Sequence, residues 1–303
     1  MTSGEPEAAG ELLRRRARDE PDAPLVSCGG SWSTCAQVAD RAERLAAGLA
    51  RHGVRAGDRV ASIMSNRMQA VDLLFACVLL GAVHVPLNIY LKGEFLRYQL
   101  VDCDPSMVIA DAAALAEVTE LVAGSPELSG CPVAALDPDD GAVLRFADLA
   151  GDPSEAVRAR VGSPDDLACI LYTSGTTGMP KGCMISSGYL VRMSAGHLEH
   201  EWFTPTDVSL CPLPLYHGAA IAGLMDALVG GGRICFEPEF RAGTIIDRAR
   251  EVGATQLYGV GAMALAILAT PPRPGDRDHR LERCVFFPLV GDDMVRFEER
   301  FGV

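Results

Sequence analysis

Lysine is almost missing from this chain: of its 27 basic residues only Lys92 and Lys181 are lysines, and the other 25 are arginines. Basic charge is short overall, with 40 acidic residues and a formal net charge of -13. That balance repels phosphate backbones and offers no basic stripe, which excludes nucleic acid and anionic lipid as expected partners. No C-x-x-C pair occurs among the ten cysteines at 28, 35, 77, 103, 131, 169, 183, 211, 235 and 284. They sit mostly in apolar runs, the pattern of buried free thiols and not of a zinc site or disulfide frame. No long membrane-spanning run is present either, because the stretch from Val71 to Val85 is broken by Asp72, Gly81 and His84. The first residues, MTSGEPEAAGELLRRRARDEP, are too acidic and broken for a signal peptide, so a cytoplasmic protein is expected. Two common nucleotide motifs, G-x-x-x-x-G-K-[ST] and G-x-G-x-x-G, are absent as well.

What is present is a globular composition, 49% hydrophobic and 22% charged, on 303 residues, enough for one large domain or two smaller ones. Short apolar runs alternate with helix-period segments from about residue 35 onward, the signature of β-α units around a mainly parallel sheet. LVSCGGSWST (25 to 34) predicts a small hairpin, and Val38, Ala42, Leu45, Ala46 and Leu49 predict an amphipathic helix. The stretch SPELSGCPVAALDPDDGAVLRFADLAGDPSEAVRARVGSPDD is rich in Gly, Pro, Asp and Ser and predicts the main boundary. The expected division is an N-terminal helix or arm over 1–20, a first α/β lobe over 21–150 and a second over 151–303.

ILYTSGTTGMPKGC (170 to 183) reads as a turn between a strand and a helix. Its glycines permit close backbone approach, and its hydroxyls and amides suit an anion, so a phosphate cradle is expected with Lys181 as the mobile counter-charge. In a chain this poor in lysine, an ammonium here instead of a guanidinium fork singles the position out. His197 and His200, at i and i+3 in HLEH with Glu199 and Glu201 nearby, read as a solvated helix end and not a zinc site. The GGG at 230 to 232 reads as a tight turn.

LYTSGTTGMPKG resembles, nearly letter for letter, the phosphate-loop signature of the adenylate-forming (AMP-binding) enzymes, which include acyl-CoA and aryl-CoA ligases. LLGAVHVPLNIYLKGEFLRYQL (79 to 100) and PLPLYHGAAI (212 to 221) resemble the family segments before and after that loop. The resemblance implies the family's N-terminal domain, layered parallel β-sheets with flanking helices. It implies that ATP and a small-molecule carboxylic acid give an acyl-adenylate and pyrophosphate, after which a thiol such as coenzyme A displaces AMP. Carried over by position, Thr173, Ser174, Gly175, Thr176, Thr177, Gly178 and Lys181 contact the phosphates, with Lys181 and Thr176 in the catalytic role. Tyr216, His217 and Gly218 line the acid site, and Tyr258 in TQLYGVGAM forms its floor, with Gly261 in place of the family's usual proline. Tyr216-His217 in place of the F-D pair of peptide-synthetase domains implies an organic acid instead of an α-amino acid.

PPRPGDRDHRLERCVFF (271 to 287) is similar to the crotonobetaine and carnitine CoA-ligase branch, which also brings in ATP-dependent diazotases of secondary metabolism that use a non-thiol acceptor. G-Y-G-x-T-E and T-G-D segments do not occur. The expectation is therefore a chain truncated before the adenine-binding segment and the small C-terminal domain, with most Mg2+ ligands outside it and no activity alone. A non-catalytic nucleotide-binding or interaction module is the alternative, and a homodimer is left open.

Overall fold

A computed structural model describes residues 7–137, 144–152, 162–173 and 178–303. They divide into two compact units, one of residues 1–23 and 34–193, the other of residues 24–33 and 194–303. This division differs from the expected one at 150 and 151.

The first unit holds α1 (Ala9–Asp19), α2 (Cys35–Arg51), β3 (Arg59–Ile63), α3 (Met68–Leu80), β4 (Val83–Leu87), α4 (Gly93–Cys103), β5 (Met107–Ala110) and α5 (Ala112–Gly124). It continues through β6 (Val133–Ala135), β7 (Leu144–Arg145), β8 (Leu167–Thr173), β9 (Lys181–Ser186) and the start of α6 (Ser187–Glu199). Its seven strands lie in the order β7-β6-β5-β3-β4-β8-β9, parallel except for the antiparallel β8 and β9.

Local sequence explains the elements. Thr34 and Gln37 form a reciprocal capping box that starts α2, their side chains each accepting from the other's backbone N–H at 3.3 and 3.0 Å. The predicted face of Val38, Ala42, Leu45, Ala46 and Leu49 is buried. Helix α3 is buried on all sides from Ala70 to Leu79, as an all-round apolar helix must be, and stops at Gly81 with φ 78°. Its one charge, Asp72, pairs with Arg41 of α2 at 2.8 Å.

The stretch expected as a linker is partly structured. Val133–Ala135 adds to the parallel sheet beside β5, Leu144–Arg145 pairs with it, and Leu149 is fully buried. The Gly, Pro and Asp around these short runs hid them. Residues 138–143 and 153–161 of that stretch lie outside the described residues.

The second unit holds β1 (Pro24–Cys28), β10 (Val208–Cys211), α7 (Gly218–Gly230), β11 (Arg233–Phe236), α8 (Ile245–Val252), β12 (Gln256–Gly259), α9 (Gly261–Leu268), β13 (Arg283–Phe286) and α10 (Asp292–Phe301). Its sheet runs β13-β12-β10-β11-β1-β2, β2 being the two residues Ser33–Thr34, with the printed pairings from β13 to β1 all parallel. A core of Leu210, Cys235, Ile246, Leu257, Phe297 and Phe301, among others, fills one side.

The two sheets repeat one topology. A first strand (β3 or β10) stands between the second (β4 or β11) and the third (β5 or β12), and the fourth (β6 or β13) lies beyond the third. The strand order therefore reverses beside β3 in one sheet and beside β10 in the other. Layered, mainly parallel sheets with flanking helices are thus the architecture, as expected.

Candidate functional site

The glycine-rich segment joins two antiparallel strands, which corrects the expected strand-to-helix turn. Thr173 ends β8, Lys181 opens β9, and the two stand opposite each other in register. Helix α6 begins only at Ser187. A single Lys-Gly-Cys-Met-Ile-Ser run after a loop does not reveal that it will pair backwards, because its partner, Cys169 to Thr173, lies on the other side of the loop. Ser174, Gly175, Thr176 and Thr177 lie outside the described residues. Tight strand contact accounts for Gly182, where a Cβ would come 2.7 Å from Ile170 Cγ2. Tyr172 ties β8 to α4 by donating its hydroxyl to Asp102 at 2.5 Å; desolvation first, and that hydrogen bond second, push the phenol well above its ordinary range.

Thr173, Gly178 and Lys181 are exposed. The two lysines differ in their company. Lys92 pairs with Glu117 at 2.8 Å, whereas Lys181 has no carboxylate partner among the described residues. An exposed ammonium without a partner, at the base of a hydroxyl- and glycine-rich loop, can bind an incoming anion without first breaking an ion pair.

The second unit supplies the other set. Open α/β sheets bind ligands outside the carboxyl ends of their strands, where the strand order reverses. Here that place is between β10 and β12, whose connections depart to opposite sides. Tyr216, His217 and Gly218 follow β10 directly, and Tyr258 stands one residue before the end of β12. His217 caps α7: its Nδ1 accepts from the Ala219 N–H at 3.2 Å. Partial desolvation lowers its pKa, and an Nδ1 engaged as acceptor leaves Nε2 as the donor of the neutral ring. The imidazole is exposed, Tyr216 is half-buried and Gly218 is exposed.

Tyr258 is buried, and its hydroxyl donates to Asp226 at 2.8 Å. Burial, then the Asp226 charge, hold the phenol well above its usual range. Asp226 has no exposed surface and also accepts from His197 Nδ1 at 2.9 Å, whose ring stacks on Trp202 at 5.3 Å. His197 is therefore a partnered side chain, not part of a solvated helix end. His200 is exposed. Asp226 was missed in the sequence; its signal was a lone charge within the otherwise apolar GAAIAGLMDALVG. Gly261 also has a structural reason: a Cβ there would fall 1.8 Å from the Pro288 carbonyl oxygen.

No group of three or more His, Cys, Asp or Glu side chains stands ready for a metal among the described residues. All ten cysteines are free, six of them buried. No helix among the described residues is long and apolar enough to cross a membrane.

Two parallel α/β sheets, an anion-ready hairpin loop on one and a polar switch-point crevice on the other define a nucleotide-dependent enzyme fold of the adenylate-forming class. The chain belongs to the AMP-binding enzyme family, whose profile matches residues 13–302. It is 34% identical over 289 residues to a feruloyl-CoA synthase of Amycolatopsis sp, covering 94% of this chain and 56% of that protein. A crotonobetaine/carnitine–CoA ligase of Salmonella heidelberg (strain SL476) is 30% identical over 259 residues, 83% of this chain and 50% of that one. The structure of ATP-bound MatB from Rhodopseudomonas palustris superposes with a TM-score of 0.82 at 29% identity, over 98% of this chain and 58% of that one. The chain thus spans little more than half the length of these relatives.

Proposed function

We infer that this chain carries the phosphate-side and acid-side parts of an ATP-dependent carboxylic-acid ligase. Thr173, Ser174, Gly175, Thr176, Thr177, Gly178 and Lys181 hold the β and γ phosphates, and Tyr216, His217, Gly218 and Tyr258 bound the acid. A carboxylate oxygen attacks the α-phosphorus, the bridging bond to the β-phosphate breaks, and pyrophosphate leaves from an acyl-adenylate. The sulfur of a thiol such as coenzyme A then attacks the acyl carbon, and AMP departs. The chain's part is electrostatic: Lys181, with the Thr176 hydroxyl and the loop amides, stabilises charge growing on the leaving pyrophosphate without any covalent intermediate on the enzyme. Mg2+ would accompany ATP and neutralise its phosphates. The described residues offer no cluster to hold it, so no step here depends on a protein ligand to the metal.

The observation that carries this reading is Lys181, exposed and without a carboxylate partner opposite Thr173 at the loop's base. The test is ATP–pyrophosphate exchange by the native polypeptide that carries residues 1–303, against a panel of carboxylic acids. Acid-dependent exchange supports the reading, and its absence with every acid refutes it. AMP formation with a nitrogen acceptor and no thioester would move the second step to the diazotase-like alternative. A cytoplasmic setting accords with ten free thiols.

A further inference from the structure

We propose that Tyr258, pinned by Asp226, is the stop that limits the acid to a short chain or a single ring. This rests on the reading above, in which the crevice between the carboxyl ends of β10 and β12 takes the acid. Below the crevice, the space between α7 and the sheet is where a longer substituent would have to run. Tyr258 stands there: its ring lies 3.9 Å from where a Gly223 side chain would begin, and its hydroxyl bonds Asp226 at 2.8 Å one helical turn further on.

Two features make this a firm stop. Geometry comes first: the phenol cannot swing aside without leaving Asp226, a wholly buried carboxylate, one donor short. Polarity is the second. Behind the ring lie the Asp226 carboxylate and His197, which accept no hydrocarbon chain without losing hydrogen bonds, whereas a pocket built for a fatty acid is lined by apolar groups. Gly223 leaves room beside the upper part of the ring, enough for a compact group and not for an extended one. Tyr258 is thus a specificity-determining residue, and Asp226 and His197 are positioning residues that act through it.

The experiment compares the wild-type native polypeptide with Tyr258→Leu in ATP–pyrophosphate exchange, using butyrate, benzoate, octanoate and palmitate. The wild type is expected to favour butyrate or benzoate. Tyr258→Leu is expected to raise kcat/KM for octanoate by about tenfold or more while KM for ATP stays put. Asp226→Asn, which keeps the shape but weakens the anchor, should relax selection in the same direction and by less. Wild-type activity on palmitate equal to that on the short acids overturns the proposal, as does a Tyr258→Leu profile identical to wild type. Should that variant fail to fold, the wild-type profile alone decides. Exchange with no acid at all defeats the functional reading and this inference with it; exchange with the wrong lengths defeats only the inference.

Discussion

Replacing Lys181 by alanine separates a chemical role from a structural one, because the structure gives it little to lose in the fold. The ammonium is exposed and has no carboxylate partner among the described residues, and strand pairing with Thr173 uses only the backbone. Surface substitutions of that kind shift stability by at most about 0.5 kcal/mol, so the melting curve should barely move. A charge-assisted hydrogen bond to a departing phosphate contributes about 1.5–3 kcal/mol. At about 1.4 kcal/mol per tenfold in rate, Lys181→Ala should slow adenylation by roughly 10- to 150-fold. Lys181→Arg should recover only part of this, since a planar fork does not replace a compact point charge. The assay is ATP–pyrophosphate exchange by the native polypeptide at saturating ATP, with thermal unfolding measured alongside. An unchanged rate would refute the phosphate role, and a collapse in melting temperature would make Lys181 structural.

Two further outcomes test the fold around the sites. Burial raises the Asp72 carboxyl from the ordinary 3.8 to about 6 despite Arg41, so the native state keeps a proton that the unfolded chain has already released. That contribution is neutral below about pH 3.8 and becomes destabilising as pH rises to about 6; Asp72→Asn should therefore gain about 2–3 kcal/mol on wild type across that window, read by urea unfolding at several pH values. A flat difference across the window would show that Asp72 titrates normally. In the second unit, Gly261→Ala should destabilise by about 2 kcal/mol or more because its Cβ would meet the Pro288 carbonyl oxygen at 1.8 Å. Gly196→Ala, mid-helix with open space around it, should stabilise by up to about 1 kcal/mol, and equal effects at the two sites would contradict the packing described.

The elements were legible where a side-chain period announces them. Val38 to Leu49 showed their helical face, and apolar runs such as RVASI and QLYG were read as strands. Pairing was another matter, since it depends on residues far apart in the chain. Cys169 of β8 stands beside His84 of β4, which draws the phosphate-loop hairpin into the first unit although the Gly- and Pro-rich stretch before it looked like a boundary. The reversal of β9 was hidden for the same reason. The site was legible where chemistry is local: a lone lysine in a lysine-poor chain stood out, as did His217 after a strand. Asp226 did not, because its partners His197 and Tyr258 lie 29 and 32 residues away and only the fold brings the three together.

The central claim is that an acid oxygen becomes bonded to the α-phosphorus of ATP. Its most direct test is to supply the native polypeptide with ATP, coenzyme A and an acid whose carboxylate oxygens carry a heavy isotope, and to analyse the nucleotide by mass spectrometry. Formation of AMP bearing one labelled oxygen, with unlabelled pyrophosphate, is the predicted result. ADP with labelled inorganic phosphate, the signature of attack on the γ-phosphorus, would contradict it.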